Sequence, residues 1–308
     1  MTKSKSKLAI DLIGINLDNP TILASGILGL DVATMETVVK GGAGAVTMKS
    51  LTKEARKGHN NPILVEVEHG FLNAVGYANK GLNHGLEEFS KWKSKTPLIG
   101  SIVAPTAEEF AQLAEKMNQL PIKALELALS CPHTPGYGLM AGQGTPEAAA
   151  AITKAVRKVS KFPLIIKLSP STEGVAQSAK AAEAEGADAI NMGNTHGPGM
   201  KIDINRGQPI LDFRVGGMSG PAVKPLMIRC VYDIYKAVRI PIIATGGITT
   251  GEDLIEAVMA GATAVGVGTA IYYRGKSVFA KICKEASNWM GQHNINNLQA
   301  IRGRAHED

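Results

Sequence analysis

Eight short β-rich runs alternate with longer amphipathic runs along this chain, and no other feature limits its fold as much. The β-rich runs are PTILASGI (20–27), AVTMKSL (45–51), PLIGSIVA (97–104), ALELALSC (124–131), PLIIKLSP (163–170), AINMGNT (189–195), PIIATGG (241–247) and AVGVGTAI (264–271). Between them, runs such as AEEFAQLAEKMNQL (107–120), PEAAAAITKAVRKVS (146–160), GVAQSAKAAEAEG (174–186) and TGEDLIEAVMAG (250–261) carry the helical period. GADAI and GATAV mark the same event twice: a helix ends at Gly186 or Gly261, and a buried strand begins two or three residues later. Parallel strands that are each followed by a helix predict a closed (β/α)8 barrel, with an open doubly wound sheet as the competing arrangement. No Pro/Ser/Gly-rich linker divides the chain, so residues 1–308 read as one domain.

Composition narrows the setting. With 44% hydrophobic and 19% charged residues, the chain can bury a large core and is neither disordered nor a coiled coil. Three cysteines are too few for a disulfide framework, which favours a reducing compartment. The basic N-terminus lacks the apolar run of a signal peptide, and no run of about 18 apolar residues is present. A cytoplasmic protein without membrane contact is expected. The net charge of +6 would attract anions, but aromatics are only 5% and no long basic run follows the first residues, so nucleic acid is not the expected partner.

Two connections are unusually long. Residues 52–96 follow the second run, and residues 196–223 follow the sixth. In a barrel both fall on the C-terminal face, where active sites are built, and they read as lids, binding loops or small extra strands. Polar groups recur toward the ends of the runs on that same face: Ser25, Lys49, Ser130 and Cys131, Asn194 and Thr195, Gly246 and Gly247, and Gly268 and Thr269, with Ser101 within the third run and Lys167 in the fifth. Singly, each has an ordinary explanation. A lysine can face solvent, and a cysteine can be a small buried hydrophobe. Converging on one face, they indicate an active site.

The last two run ends suggest a phosphate site. TGGITTGED places two glycines before a helix with Thr249 or Thr250 as its cap, and GVGTA offers another glycine turn beside a threonine. Glycines let backbone N–H groups approach an anion, and a helix N-terminus favours negative charge. The pair points to a phosphorylated cofactor, although the spacing is not that of a dinucleotide fingerprint or a P-loop. Cys131 reads as a nucleophile or a general base. Cys230 and Cys283 fall in helical runs and read as core. Lys49 and Lys167 would bring positive charge to an anionic substrate or cofactor. His59, His69, His84, His133 and His196 show no metal-ligand spacing and read as separate loop histidines, so no metal is expected.

Taken together these motifs resemble the flavin subunit of class 1 dihydroorotate dehydrogenases, above all the class 1B, archaeal-type sequences. The resemblance runs from ILASG near residue 25 to GVGTA near residue 270. It is carried by Lys49 with KEARKGHNNP, NAVGYANKG (73–81), SCP (130–132), IIKLSP (165–170), GGMSGPAVKP (216–225), ATGGITTGED (244–253) and AGATAVGVGTA (260–270). It implies a barrel holding FMN and the oxidation of dihydroorotate to orotate in pyrimidine biosynthesis. Cys131 would be the base at substrate C5 while a hydride leaves C6, and Lys49 would serve both flavin and substrate. Asn73, Ala74, Val75, Gly76 and Tyr77, with Asn194 and Thr195, would contact substrate. Ser25, Ser50, Ser101, Lys167, Gly193, Gly220, Gly246, Gly247, Gly268 and Thr269 would hold FMN. The resemblance further implies a homodimer, or a heterotetramer with an FAD/iron–sulfur electron-transfer subunit. Cysteine as base, without an apolar N-terminal anchor, implies the soluble class.

The chain departs from the family's pattern at four places. ELALSCPH stands where ELN-x-SCPN is usual, which puts Ala128 and His133 at asparagine positions. Ser101 stands where asparagine is common, and Gly193 where a bulkier apolar residue usually precedes Asn194. These departures leave two alternatives beside dihydroorotate oxidation: a related FMN oxidoreductase for another dihydropyrimidine or cyclic imide, and a catalytically silent flavoprotein.

Overall fold

The eight runs form parallel strands that close on themselves in the computed structural model, which describes residues 6–307 apart from 132, 133 and 135. They are β1 Thr21–Leu23, β2 Ala45–Thr47, β3 Leu98–Ile102, β4 Ala124–Ala128, β5 Leu164–Leu168, β6 Ala189–Met192, β7 Ile242–Thr245 and β8 Ala264–Val267. Each pairs with its neighbours in chain order, and β8 returns to β1 with Val265 opposite Thr21 and Gly266 opposite Ile22. That closure excludes the open doubly wound sheet. The strands are shorter than the sequence runs because the run ends leave the ladder. Ser25, Lys49, Cys131 and Asn194 all lie just beyond the last paired residue of their strands.

Helices follow the strands: α1 Val32–Lys40, α2 Gly81–Phe89, α3 Ala107–Met117, α4 Pro146–Arg157, α5 Val175–Ala184, α6 Lys224–Ala237, α7 Gly251–Met259, α8 Ala270–Arg274 and α9 Val278–Gln292. Local chemistry sets several starts. Asp31, Thr106 and Thr145 each accept a first-turn N–H, and Pro146 opens α4, where its missing N–H costs nothing. Gly186 and Gly261, with φ of 93° and 122°, take the chain out of α5 and α7 toward the next strand. Cys230 on α6 and Cys283 on α9 are partly buried against the core. A hairpin, Ile10–Leu12 with Ile15–Leu17, precedes β1 and adds Leu8, Ile10, Leu12 and Leu17 to the core. The sequence reading does not foresee it.

The two long connections meet. Leu64–Val67 and Gly70–Asn73 come from the first, and His196–Gly199 and Gly216–Ser219 from the second. They form one antiparallel sheet in which Gly217 stands opposite Asn73 and Ser219 opposite Phe71. Leu72, Ala74 and Leu211 make a small core for this sheet. Two of the expected loop histidines thus lie on regular elements, His84 on α2 and His196 on a strand, while His133 lies outside the described residues.

The barrel interior is polar at one level. Lys167 on β5 and Glu126 on β4 form an ion pair at 3.7 Å, and both are buried. Glu126 also accepts from Ser101 Oγ at 3.1 Å and from Asn191 Nδ2 at 2.6 Å. Ser50 and Ser101 share a hydrogen bond at 2.9 Å, Thr245 donates to Asn191 Oδ1 at 2.7 Å, and Lys167 donates to Ser25 Oγ at 3.1 Å. Buried charge is tolerated only when paired and hydrogen-bonded in this way. Glu126→Ala would leave the Lys167 ammonium uncompensated and should destabilise the protein by about 3–5 kcal/mol. Urea unfolding of the two proteins checks this, and a difference within about 0.5 kcal/mol, the range of a neutral surface change, would refute it.

Candidate active site

A cavity of about 400 Å³ lies where the C-terminal ends of the barrel strands face the antiparallel sheet. Its size is that of a site for a small molecule or cofactor. Seventeen of the residues expected from the sequence line it, in three groups. From the strand ends come Ser25, Ser50, Lys49 and Lys167; from the glycine turns come Gly220, Gly246, Gly247, Gly268 and Thr269; around Cys131 stand Asn73, Val75, Gly76, Tyr77, Gly193, Asn194 and Thr195.

Two expected residues do not belong to the lining. Phe71, Asn73 and Val75 face the cavity, so strand alternation turns Leu72 and Ala74 to the opposite face, and Ala74 is fully buried in the small core. Ser101 is fully buried beneath the cavity, between Ser50 and Glu126. It supports the polar layer and does not face a ligand. Gly193 lines the cavity, but packing also demands it: φ is 141°, and a Cβ would collide with the Thr245 carbonyl.

Other lining residues escaped the sequence reading. Thr134 places Oγ1 3.0 Å from Cys131 Sγ, and Phe71 packs edge-on against Tyr272 at 4.6 Å. Glu126 lies behind the site. Its signal was a lone carboxylate in the middle of the apolar run ALELA.

The glycine turns have a defined shape. Gly246 and Gly247 have φ of 143° and 73°, and a Cβ on Gly247 would come within 2.9 Å of the Lys224 backbone nitrogen. A Cβ on Gly220 would come within 2.8 Å of Gly70 Cα. Thr250 proves to be the cap of α7, in a capping box with Asp253. Asp253 also accepts from the Thr249 and Thr250 amides at 2.8 Å each, and Glu285 accepts from Gly251 at 2.8 Å. These amides are committed to internal acceptors. The share of an anion site expected from the start of α7 therefore reduces to the Gly246–Gly247 turn.

The catalytic candidates are held firmly. The Cys131 carbonyl accepts from Leu139 N at 3.0 Å. Asn194 Nδ2 donates to Ser130 Oγ at 2.8 Å and its Oδ1 accepts from Thr195 N at 2.8 Å. Asn73 Nδ2 donates to the Gly217 carbonyl at 3.2 Å, across the two long connections. Burial depresses the Lys49 ammonium to about 8, the Lys167 charge acts in the same direction, and Cys131 opposes them. Lys49 is thus mainly cationic at neutral pH and loses its charge as pH rises through about 8. NMR of the 13C-methylated protein should show one lysine titrating near that pH. Lys49→Met should remove the signal and Lys167→Met should shift it upward. A spectrum with every lysine above about 10, the ordinary lysine range, would contradict this environment.

Comparison with known proteins agrees with the geometry. The sequence model of the family described as dihydroorotate dehydrogenase matches residues 7–290. A relative from Methanocaldococcus jannaschii, named dihydroorotate dehydrogenase B (NAD(+)), catalytic subunit, is 42% identical over 305 residues, covering 97% of this chain and 98% of its own. One of the same name from Pyrococcus abyssi is 43% identical over 298 residues, covering 97% and 99%. Among solved structures, DHODH from Eimeria tenella in complex with ferulenol superposes with a TM-score of 0.85 at 22% identity, over 100% of this chain and 91% of that one. At that identity the likeness speaks for the fold.

Proposed function

The chain belongs to the dihydroorotate dehydrogenase family of pyrimidine biosynthesis, and from this membership we propose that its cavity binds FMN and oxidises dihydroorotate to orotate with Cys131 as the base. One observation carries the proposal: Cys131, two lysines and two glycine turns line a single cavity at the C-terminal face of the barrel.

The residues present fit the cofactor. The turns that would cradle the phosphate require glycine: φ is positive at Gly220 and Gly247, and a Cβ there would strike Gly70 or Lys224, so only glycine keeps this close backbone course along the cavity. Gly246, Gly268 and Thr269 would complete that end. Lys167, Lys49, Ser25 and Ser50 would lie toward the ring. When bound, FMN supplies the hydride acceptor.

The chain's own groups do the rest. Cys131 as thiolate takes the C5 proton of dihydroorotate, with Thr134 beside its sulfur. Lys49 attracts the substrate carboxylate at neutral pH. Asn73 and Asn194 can each donate to and accept from a pyrimidine ring. Their hydrogen bonds to Gly217 and Ser130 hold the amides in place before substrate arrives. The sheet over the barrel mouth restricts water. Ala128, also in the lining, contributes a methyl where a polar contact is usual in the family.

Electrons then leave by another protein. The relatives are named as catalytic subunits of NAD(+)-dependent enzymes. Cys131, Cys230 and Cys283 lie on separate elements, so an iron–sulfur cluster would belong to an FAD-containing partner in a heterotetramer built on a dimer of this chain. Among the described residues no helix is long and apolar enough to cross a membrane, in keeping with a cytoplasmic enzyme.

Purified protein should be yellow, with FMN in stoichiometric amount. Colourless protein that gains no flavin on incubation would overturn the cofactor assignment. Cys131→Ala should retain flavin but slow its reduction by dihydroorotate by roughly 10²–10⁴-fold in stopped flow. Wild-type flavin that dithionite reduces and dihydroorotate does not would reject the substrate.

A further inference from the structure

Tyr77 carries a polar group that the proposed chemistry leaves unused. Its backbone is in the left-handed region at φ 56°, directly after Gly76 at φ 70°, a conformation that non-glycine residues adopt at a cost. Neighbours hold it there. Asn79 Nδ2 donates to the Tyr77 carbonyl at 2.8 Å, and Arg56 Nε donates to the Gly76 carbonyl at 3.3 Å. The Tyr77 ring lies 5.8 Å from that of Tyr137, over which the Arg56 guanidinium rests at 4.8 Å. The side chain lines the cavity together with Cys131 and Thr134, and its hydroxyl is buried with no hydrogen-bond partner among the described residues. A buried hydroxyl in that state is unfavourable, so an acceptor is to be sought in a state of the site that forms during turnover.

Cys131 lines the same cavity as Tyr77. We propose that the Tyr77 hydroxyl donates a hydrogen bond to the Cys131 sulfur when it is a thiolate, and that Tyr77 thereby sets how much of Cys131 is available as base. Tyr77 is thus a positioning residue that acts through Cys131, and the proposal rests on Cys131 being the base. The Cys131 thiol gives its proton to solvent, while the phenol keeps its own proton and shares it with the sulfur. When the thiolate takes the C5 proton, the hydrogen bond loses its charge assistance. Thr134 Oγ1, 3.0 Å from the sulfur, is the second hydroxyl.

Charge in the surroundings is consistent with this role. Burial pushes the Tyr77 phenol well above the usual range; Cys131 and Glu126 add to the rise and Arg56 opposes it. The group therefore stays a neutral donor at any working pH. The charges of Cys131 and Lys167 both act on Lys49. Tyr137 and His59, whose ring lies against Gly76 and whose pKa burial and Arg56 lower, also stand beside the pair. The lysines and Arg56 favour the thiolate through their charge, whereas Tyr77 does so through a hydrogen bond that one atom's removal abolishes.

The test reads Cys131 itself. Substrate-free protein, as purified, is alkylated with iodoacetamide between about pH 5.5 and 9.5, and Cys131 is followed by peptide mass mapping. Cys230 and Cys283, whose thiols burial raises to about 11, serve as slow internal references. Tyr77→Phe should move the Cys131 midpoint up by about one pH unit, an about tenfold smaller thiolate fraction at neutral pH. The pH dependence of flavin reduction should move equally, with the KM for dihydroorotate unchanged. 3-Fluorotyrosine at position 77, a stronger donor of the same shape, should move both midpoints down, and it provides the test should the phenylalanine variant fold poorly. An unshifted alkylation midpoint in the variants overturns the proposal, and so does a raised KM with an unshifted midpoint, which would make Tyr77 a substrate contact alone. Full-rate flavin reduction in Cys131→Ala would instead remove Cys131 as the base, a failure separate from that of the Tyr77 hydrogen bond.

Discussion

Inside the barrel a lysine ammonium and a glutamate carboxylate face each other at 3.7 Å with almost no access to water. Neither charge is stable there alone. Each must be paired and its remaining hydrogen-bonding capacity filled, and the surrounding strands supply the partners: Ser25, Ser101, Asn191 and, one step further, Ser50 and Thr245. The polar layer therefore ties β3 through β7 to the turns after β1 and β2. It also fixes the place of Lys167, a cation that lines the cavity and helps to depress Lys49. The same charge that suits an anionic ligand would destabilise an apolar barrel without Glu126.

The roof of the site depends on a second constraint, the pairing of the two long connections. Asn73 reaches the cavity because its strand lies against Gly216–Ser219, and the hydrogen bond from Asn73 to Gly217 spans 144 residues of sequence. The backbone then turns through Gly76 and Tyr77, both at positive φ, and brings the Tyr77 ring beside Tyr137. Cavity residues from both long connections, Phe71 and Asn73 from the first and Ser219 from the second, are held by one small sheet with its own core of Leu72, Ala74 and Leu211.

Three departures from the family's sequence pattern acquire physical content in this setting. Ser101 gives its hydroxyl to the polar layer, where Glu126 and Ser50 occupy it. Gly193 is the residue that clears the Thr245 carbonyl. Ala128 places an apolar side chain in the cavity lining, and the polar side chains of Asn73 and Asn194 line it from other elements.

Much of this was legible in the sequence, because it is local. Buried strands of three to five residues announce themselves as apolar runs. A threonine at 249 or 250 marks the start of a helix, and glycine pairs mark turns that need positive φ. Cys131 and Lys49 stood out because a reactive or charged group closed an apolar run, and Lys167 because it interrupts one. What the sequence could not decide depends on sums over distant elements. Asn73 and Ala74 are neighbours in the chain, yet strand pairing sends one to the cavity and the other to a core. Glu126 looks like a fault in an apolar run until β5 sets Lys167 against it. The amides at the start of α7 look free for an anion until Asp253 and Glu285 are found to accept from them. Lys49 carries an ordinary side chain, and only the burial and like charge created by the closed barrel bring its titration close to neutrality.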